Sequence, residues 1–447
     1  MVLGALSLCV WCVIGLHSTV WAESSGNESP KQEASLKESA KGESGKEEAA
    51  LETPRYYNPA PLTTGFIRPI DYGMEDPPAG IKKGPVTLHP LFSTSITYDD
   101  NVLGTRSRAE RKDFIWEVSP GYELIYRPNP DFTLTHGYKF GWVDYLDDNA
   151  KDYLTHNAGL NLQWRNLFVK GLKLEIDEQY RQSGNTGVFE NQFASFSRVQ
   201  GNSVGPTLSY ETKRMGFIAS YRFGLTDYFS QRNQVGDYHT HTADGMYYYK
   251  LSSKIRLYTQ YTYESYDFVN SKSGDFDTHT HVAGVRANYR KIDFDFHIGN
   301  RRATTDDINK PNRSGGIDLN QYDSDDGLVA NLRISAKPTR RLSTYLSASQ
   351  AFTAGVVTGG AKNTRAEVGV SVICFKKGKF DARALWNHED RGSGLEQTTQ
   401  EYGGRFTYRI LKTLHGFADY NRSERSTNLD DDDIIINRGQ IGIYFRF

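Results

Sequence analysis

The chain has 447 residues, of which 38% are hydrophobic and 24% charged, and its formal net charge is −1. Mean hydropathy is −0.60, and no apolar run after residue 20 is long enough for a membrane-spanning helix. The balanced charge gives no footing for nucleic-acid binding. Yet aromatics reach 13%, with 28 Tyr and 23 Phe, as expected of a barrel with a wet interior and aromatic girdles.

Residues 1–22 read as a secretory signal. An apolar run is followed by Val20 and Ala22 in the −3 and −1 places of a cleavage site, making Glu23 the expected mature start. The lack of Lys or Arg near Met1 departs from the usual pattern. Cys9 and Cys12 fall inside this leader, which leaves Cys374 alone in the mature chain and predicts no intramolecular disulfide. Residues 23–53 are mostly Glu, Ser, Lys, Ala and Gly, too polar to order themselves. Residues 54–86 add Pro and scattered Tyr and Phe and read as an extended linker. The span 23–86 is therefore expected to be a low-complexity periplasmic tail.

From residue 87 to 447 the texture is uniform. Apolar Phe132, Leu134, Tyr138, Phe140 and Trp142 alternate with polar residues, as do Ile292, Phe294, Phe296 and Ile298, and Ala366, Val368, Val370 and Val372. A period of two marks strands with one oily and one wet face. Short connections, such as 127–130, 213–214, 252–254 and 376–378, alternate with long polar ones at 100–112, 183–197, 230–237, 269–276, 303–326, 355–363, 389–400 and 424–433. Alternate short turns and long loops are the pattern of an outer-membrane barrel. The predicted fold is all-β, a closed antiparallel transmembrane barrel of about eighteen strands, because only a closed sheet pairs every strand's backbone inside a bilayer.

The chain ends on a strand, Gln440 to Phe447. Ile441, Ile443, Phe445 and Phe447 share one face, and Gln440, Gly442, Tyr444 and Arg446 the other. Gln440, Gly442, Phe445 and Phe447 match the C-terminal signal by which bacterial outer-membrane barrels are recognised and inserted. The barrel-assembly machinery, outer-membrane lipid and lipopolysaccharide are the expected partners.

The same parity assigns an inward face carrying both charge signs. Its candidate pore-lining residues are Lys139, Glu175, Arg222, Arg256, Glu264, Arg286, Arg333, Glu367, Arg383 and Arg405. Glu117, Asp244, Asp293, Asp295 and Asp381 are further inward acids. A wide aqueous path without single-sign selectivity is expected, and inward Tyr258, Tyr266 and Tyr345 are candidates to stack on sugar rings. Three strands open on a shared pattern, Thr155-His156, Thr240-His241 and Thr280-His281. These histidines are read as interfacial ring residues rather than metal ligands. Asp306-Asp307 and the run Asp430 to Asp433 read as solvated loop acids. Ser203 sits in a Gly-x-Ser-x-Gly string, but with no helix after it the string is not a nucleophile elbow. No catalytic residue, metal or cofactor is predicted.

The segments Tyr98-Asp-Asp-Asn101 and Ser119-Pro-Gly121, after Leu88-His-Pro90, resemble the opening of the beta-barrel porin-2 family, over about residues 87–447. That resemblance implies a bacterial outer-membrane barrel, often linked to exopolysaccharide secretion, and a periplasmic polysaccharide-export protein as partner. A polysaccharide-secretion pore is the leading expectation on that basis. The alternatives are a general or solute-selective diffusion porin and a non-transporting structural or adhesive barrel plugged by the loop 303–326.

Overall fold

The computed structural model describes residues 80–102, 110–147, 152–185, 197–228, 237–269, 275–305, 326–355, 359–391, 395–428 and 430–447. The predicted leader, almost all of the tail, Asp306-Asp307 and the bulk of the loop 303–326 lie outside these residues.

Every described element is a strand or a turn between strands. β1 (Ile81–Lys83) and β2 (Val86–Asp99) form a first hairpin, followed by β3 (Asp113–Asn129), β4 (Phe132–Tyr145) and β5 (Tyr153–Arg165). Next come β6 (Leu172–Asn185), β7 (Ser197–Glu211), β8 (Met215–Tyr228), β9 (Tyr238–Lys250) and β10 (Ile255–Phe268). β11 (Phe276–Tyr289), β12 (Ile292–Thr305), β13 (Asp326–Thr339), β14 (Leu342–Gly355) and β15 (Gly359–Phe375) continue the series. β16 (Gly378–Arg391), β17 (Leu395–Arg409), β18 (Leu414–Thr427) and β19 (Asp430–Arg446) complete it. From β2 onward each strand pairs antiparallel with the next, and β19 pairs with β2 from Arg438↔Asp99 to Arg446↔Leu91. Strands β2 to β19 thus form a closed antiparallel barrel, as the alternation predicts.

The register separates two faces. Large exposed apolar residues such as Phe92, Ile96, Trp142, Leu208, Phe217, Leu346 and Ile441 lie on one of them. The other holds the buried Ser119, Tyr248, Glu264, Thr278 and Arg301. The second is the inner face, where curvature crowds side chains together. At a tilt of about 40° a strand of this length rises roughly 35 Å, more than the apolar band of about 25 Å that a bilayer requires. The excess emerges on the loop side. Much of 355–363, 389–400 and 424–433, read as loop in the sequence, is strand for this reason. There both faces are polar, as with His388 and Asp390 against Asn387 and Glu389, so the alternation fades while the backbone ladder continues.

Residues 81–86, read as linker in the sequence, also join the sheet. Gly84, at φ +60°, and Pro85 form a two-residue turn of the kind that needs a positive first φ. β1 pairs with β2 at Ile81↔Leu88, just past the point where β19 ends, and so lengthens the seam.

That seam is clamped at both ends. On the loop side Asp99 pairs with Arg438 and is fully buried. Asn437 donates to Asp100 from both its backbone N and its Nδ2, each at 2.7 Å, and Asn101 Nδ2 donates to Ile435 O at 3.1 Å. On the turn side Arg446 pairs with Glu123 at 2.7 Å, and Phe447 N donates to Pro90 O at 3.1 Å. Between them Gln440 donates to Ser95 Oγ at 2.9 Å. Gly442 is required by close approach, since a Cβ there meets Thr94 O at 2.6 Å and the Phe417 ring at 2.7 Å. Gly442→Val should destabilise the barrel by about 1–3 kcal/mol through overpacking. The folded, fast-migrating band on unheated SDS gels should then be lost at lower temperature than in the parent protein. An unchanged transition would contradict this account of the seam.

Candidate functional site

The inner wall gathers most of the sheet's ion pairs. Lys139, Glu175, Arg222, Arg256, Glu264, Arg286, Arg333, Glu367, Arg383 and Arg405 all fall on the inner face by register. The structure supplies partners that sequence parity does not name. Lys139 Nζ lies 3.9 Å from Glu117, and Glu175 accepts from Lys173 at 2.8 Å and Asn161 at 2.9 Å. Arg222 reaches over β7 to Asp177 at 3.3 Å and donates to Ser203 Oγ at 3.2 Å. Ser203 is therefore a wall residue in mid-strand, not an elbow nucleophile.

Further round, Arg286 donates from Nε to Asp295 at 2.9 Å, and Arg365 pairs with Glu367 at 2.9 Å. Arg383 lies 3.7 Å from Glu401, and Arg405 Nε donates to Asp419 at 3.0 Å. Opposite charges on adjacent strands stabilise a sheet where like charges oppose it, so the wall stays polar without strong repulsion. The Arg383 side chain is 55% exposed, so this part of the wall is open to water.

One stretch of wall is unbalanced. Lys250, Arg256, Arg286, Asp295 and Arg333 are paired in a single lateral row across β9 to β13. Lys250 is offset by Glu211 and Arg286 by Asp295. Arg256 lies over the Tyr248 ring at 5.4 Å. Arg333 is exposed and makes no ion pair among the described residues. The row keeps a local excess of positive charge.

The inward tyrosines are engaged by their neighbours, and the Tyr266 ring lies 6.0 Å from that of Tyr238. Tyr258 is buried, donates to Asp295 at 2.8 Å and lies beneath the Arg286 guanidinium. Tyr345 donates to Glu367 at 2.6 Å. Both hold carboxylates in place. The histidines of the repeated Thr-His pattern face outward. Tyr138–His156 and Tyr221–His241 are hydrogen-bonded pairs at 2.9 and 2.7 Å, while the His281 ring lies 4.6 Å from that of Tyr261, whose hydroxyl is bonded to His279, and among the described residues no group of three metal-ligating side chains forms.

Glu264 was legible from parity, but its setting was not. It pairs with Arg301 at 2.9 Å, both side chains are about 5% exposed, and Thr278 Oγ1 donates to the same carboxylate. Arg301 stands next to a tract read as loop, and only its parity with Asp295, His297 and Gly299 marks it as inward.

No protein-family model matches the chain, and no curated protein matches it. Solved structures similar to it include OccK2 (OpdF) of Pseudomonas aeruginosa, at 9% identity and TM-score 0.48, covering 80% of this chain and 98% of that one. OccAB2 of Acinetobacter baumannii follows at 10% and 0.48, covering 82% and 99%. Pseudomonas aeruginosa OpdQ stands at 11% and 0.47, covering 82% and 99%. Closure of the sheet rests on the pairing of β19 with β2, independently of these likenesses.

Removing one member of a buried ion pair strands the other. Arg301→Met should therefore cost about 3–5 kcal/mol of stability, and Glu264→Gln distinctly less because its hydrogen bonds partly survive. Urea titration of the refolded barrel in lipid vesicles, followed by tryptophan fluorescence, measures both. Equal, small losses would show that the pair is not buried as described.

Proposed function

We propose that this chain is an outer-membrane β-barrel channel through which small hydrophilic solutes diffuse. The observation that carries the reading is a closed eighteen-strand sheet with an apolar outer face and an ion-paired, partly water-exposed inner wall. A barrel of this strand number has a backbone diameter of roughly 35 Å and leaves an aqueous channel once the wall side chains are in place. The ten inward charges named from sequence line that channel. Their near-neutral pairing makes it weakly selective, with a bias toward anions from the row of Arg256, Arg286 and Arg333. The short connections face the periplasm and the long ones the outside. The tail before the barrel is proposed to belong to the periplasm.

Export of polysaccharide, implied by the porin-2 resemblance, has no family match behind it. Loss of the gene is expected to slow entry of small solutes while surface polymer persists. Loss of polymer with solute entry intact would favour the export reading.

In planar bilayers the protein should give stepwise, ohmic conductance. Under a salt gradient the reversal potential should lie slightly to the anion side, because the wall is nearly neutral overall. Arg333→Glu should move it toward cations while conductance stays within about twofold, since one exposed side chain tunes lumen charge without altering the sheet. A silent bilayer, or a potential indifferent to Arg333→Glu, would contradict the channel reading.

A further inference from the structure

The outward face is not uniformly apolar. On β13 to β16 the mid-strand row reads Ile334, Leu346, Val368 and Ala384, all apolar and joined by register. On β4 to β7 the comparable row reads His136, Leu160, Glu178 and Val204. Glu178 stands near the middle of β6, with Ile176 and Tyr180 as its outward neighbours. It makes no hydrogen bond or ion pair among the described residues. Asn202, in register with Tyr180, has an Oδ1 shielded from solvent without a partner. Other outward acids, such as Asp144, Asp227, Asp267 and Asp277, lie at the loop ends of their strands, where water reaches them. Arg422 and Glu424 satisfy each other at 3.2 Å.

A carboxylate facing hydrocarbon at mid-height is unfavourable, and lipid tails offer it nothing. A protein surface does. We propose that the outward face of β4 to β7 is the contact surface of a homodimer whose two copies are related by a two-fold axis parallel to the barrel axis. This rests on the reading above that the apolar band faces lipid. His136 and Glu178 flank Leu160 at one strand spacing on either side, about 10 Å apart in all. A two-fold axis over Leu160 reverses left and right, so each copy's imidazole lies on the same side as the other's carboxylate, offset in height by about 6 Å at a tilt of about 40°, a gap the two side chains span between them. The row is self-complementary, as a two-fold contact demands. The sector is about 25 Å wide within a band about 25 Å tall, the same order as the roughly 800 Å² per partner of a stable interface.

The test uses the full barrel with Cys374→Ser, reconstituted in lipid nanodiscs and in vesicles. Native mass spectrometry of the nanodiscs should give two copies. Leu160→Cys in that background should form a disulfide-linked dimer on mild oxidation, whereas Leu346→Cys on the far side should not. Glu178→Leu should shift the protein to one copy per disc while keeping the heat-modifiable band of a folded barrel. Single copies of the parent protein, or cross-linking from Leu346→Cys rather than Leu160→Cys, would overturn the proposal. So would a dimer indifferent to Glu178→Leu. Conductance is measured separately. A silent bilayer with cross-linking through Leu160→Cys would sink the channel and leave the interface standing.

Discussion

The rest of the structure depends on the pairing of β19 with β2. Without it the sheet has two open edges, and every unpaired N–H and C=O along them meets hydrocarbon. With it each strand has two neighbours, and the two faces become an inside and an outside. The seam is accordingly clamped by side chains at both ends. Asp99, Asp100 and Asn101 fasten its loop end and Glu123 its turn end, with β1 laid alongside where β19 stops. Most other strand pairs are joined by a short connection on one side. This one is joined only by side chains and ladder, because its strands stand at opposite ends of the chain.

Closure turns a period-two sequence into a division between lipid and water. Outward residues need no partner except one another, so they are large and apolar. Inward residues must be soluble yet must not repel, so they pair. Some pairs join neighbouring strands, as Lys139 with Glu117 and Arg405 with Asp419, others lie along one strand, as Arg365 with Glu367, or reach across one, as Arg222 with Asp177, and their attraction is modest where water screens it. Glu264 with Arg301 is the exception, held dry and thus intolerant of losing either member. Where outward residues break the rule, as Glu178 does, a protein contact in place of lipid restores it.

Much of this was legible in the sequence. The alternation of Ile441, Ile443, Phe445 and Phe447 with Gln440, Gly442, Tyr444 and Arg446 fixes the last strand, and the same parity places all ten inner charges on one face. Three things were not legible. β1 is three exposed residues without alternation in a Gly- and Pro-rich stretch, so no local pattern announces it. The segment Tyr98-Asp-Asp-Asn101 was visible as a motif, but its partners Ile435, Asn437 and Arg438 lie more than 330 residues away in the chain. Its role as a clasp needs the closed sheet. The loop-side ends of β16 and β18 were read as loops because both their faces are wet. Periodicity reports a difference between faces, and there is none to report above the apolar band. Glu178 was within reach of parity alone, since it continues the apolar row of Leu172, Leu174 and Ile176.

The central claim is that this closed sheet holds lipid on one side and water on the other. Single cysteines at Leu346, Ser347, Ala348 and Ser349 on β14, in a Cys374→Ser barrel reconstituted in vesicles, test it most directly with a small charged maleimide. The account predicts a period of two, with Ser347 and Ser349 positions labelled quickly and Leu346 and Ala348 positions protected by lipid. Uniform labelling, or labelling of the Leu346 and Ala348 positions instead, would contradict it.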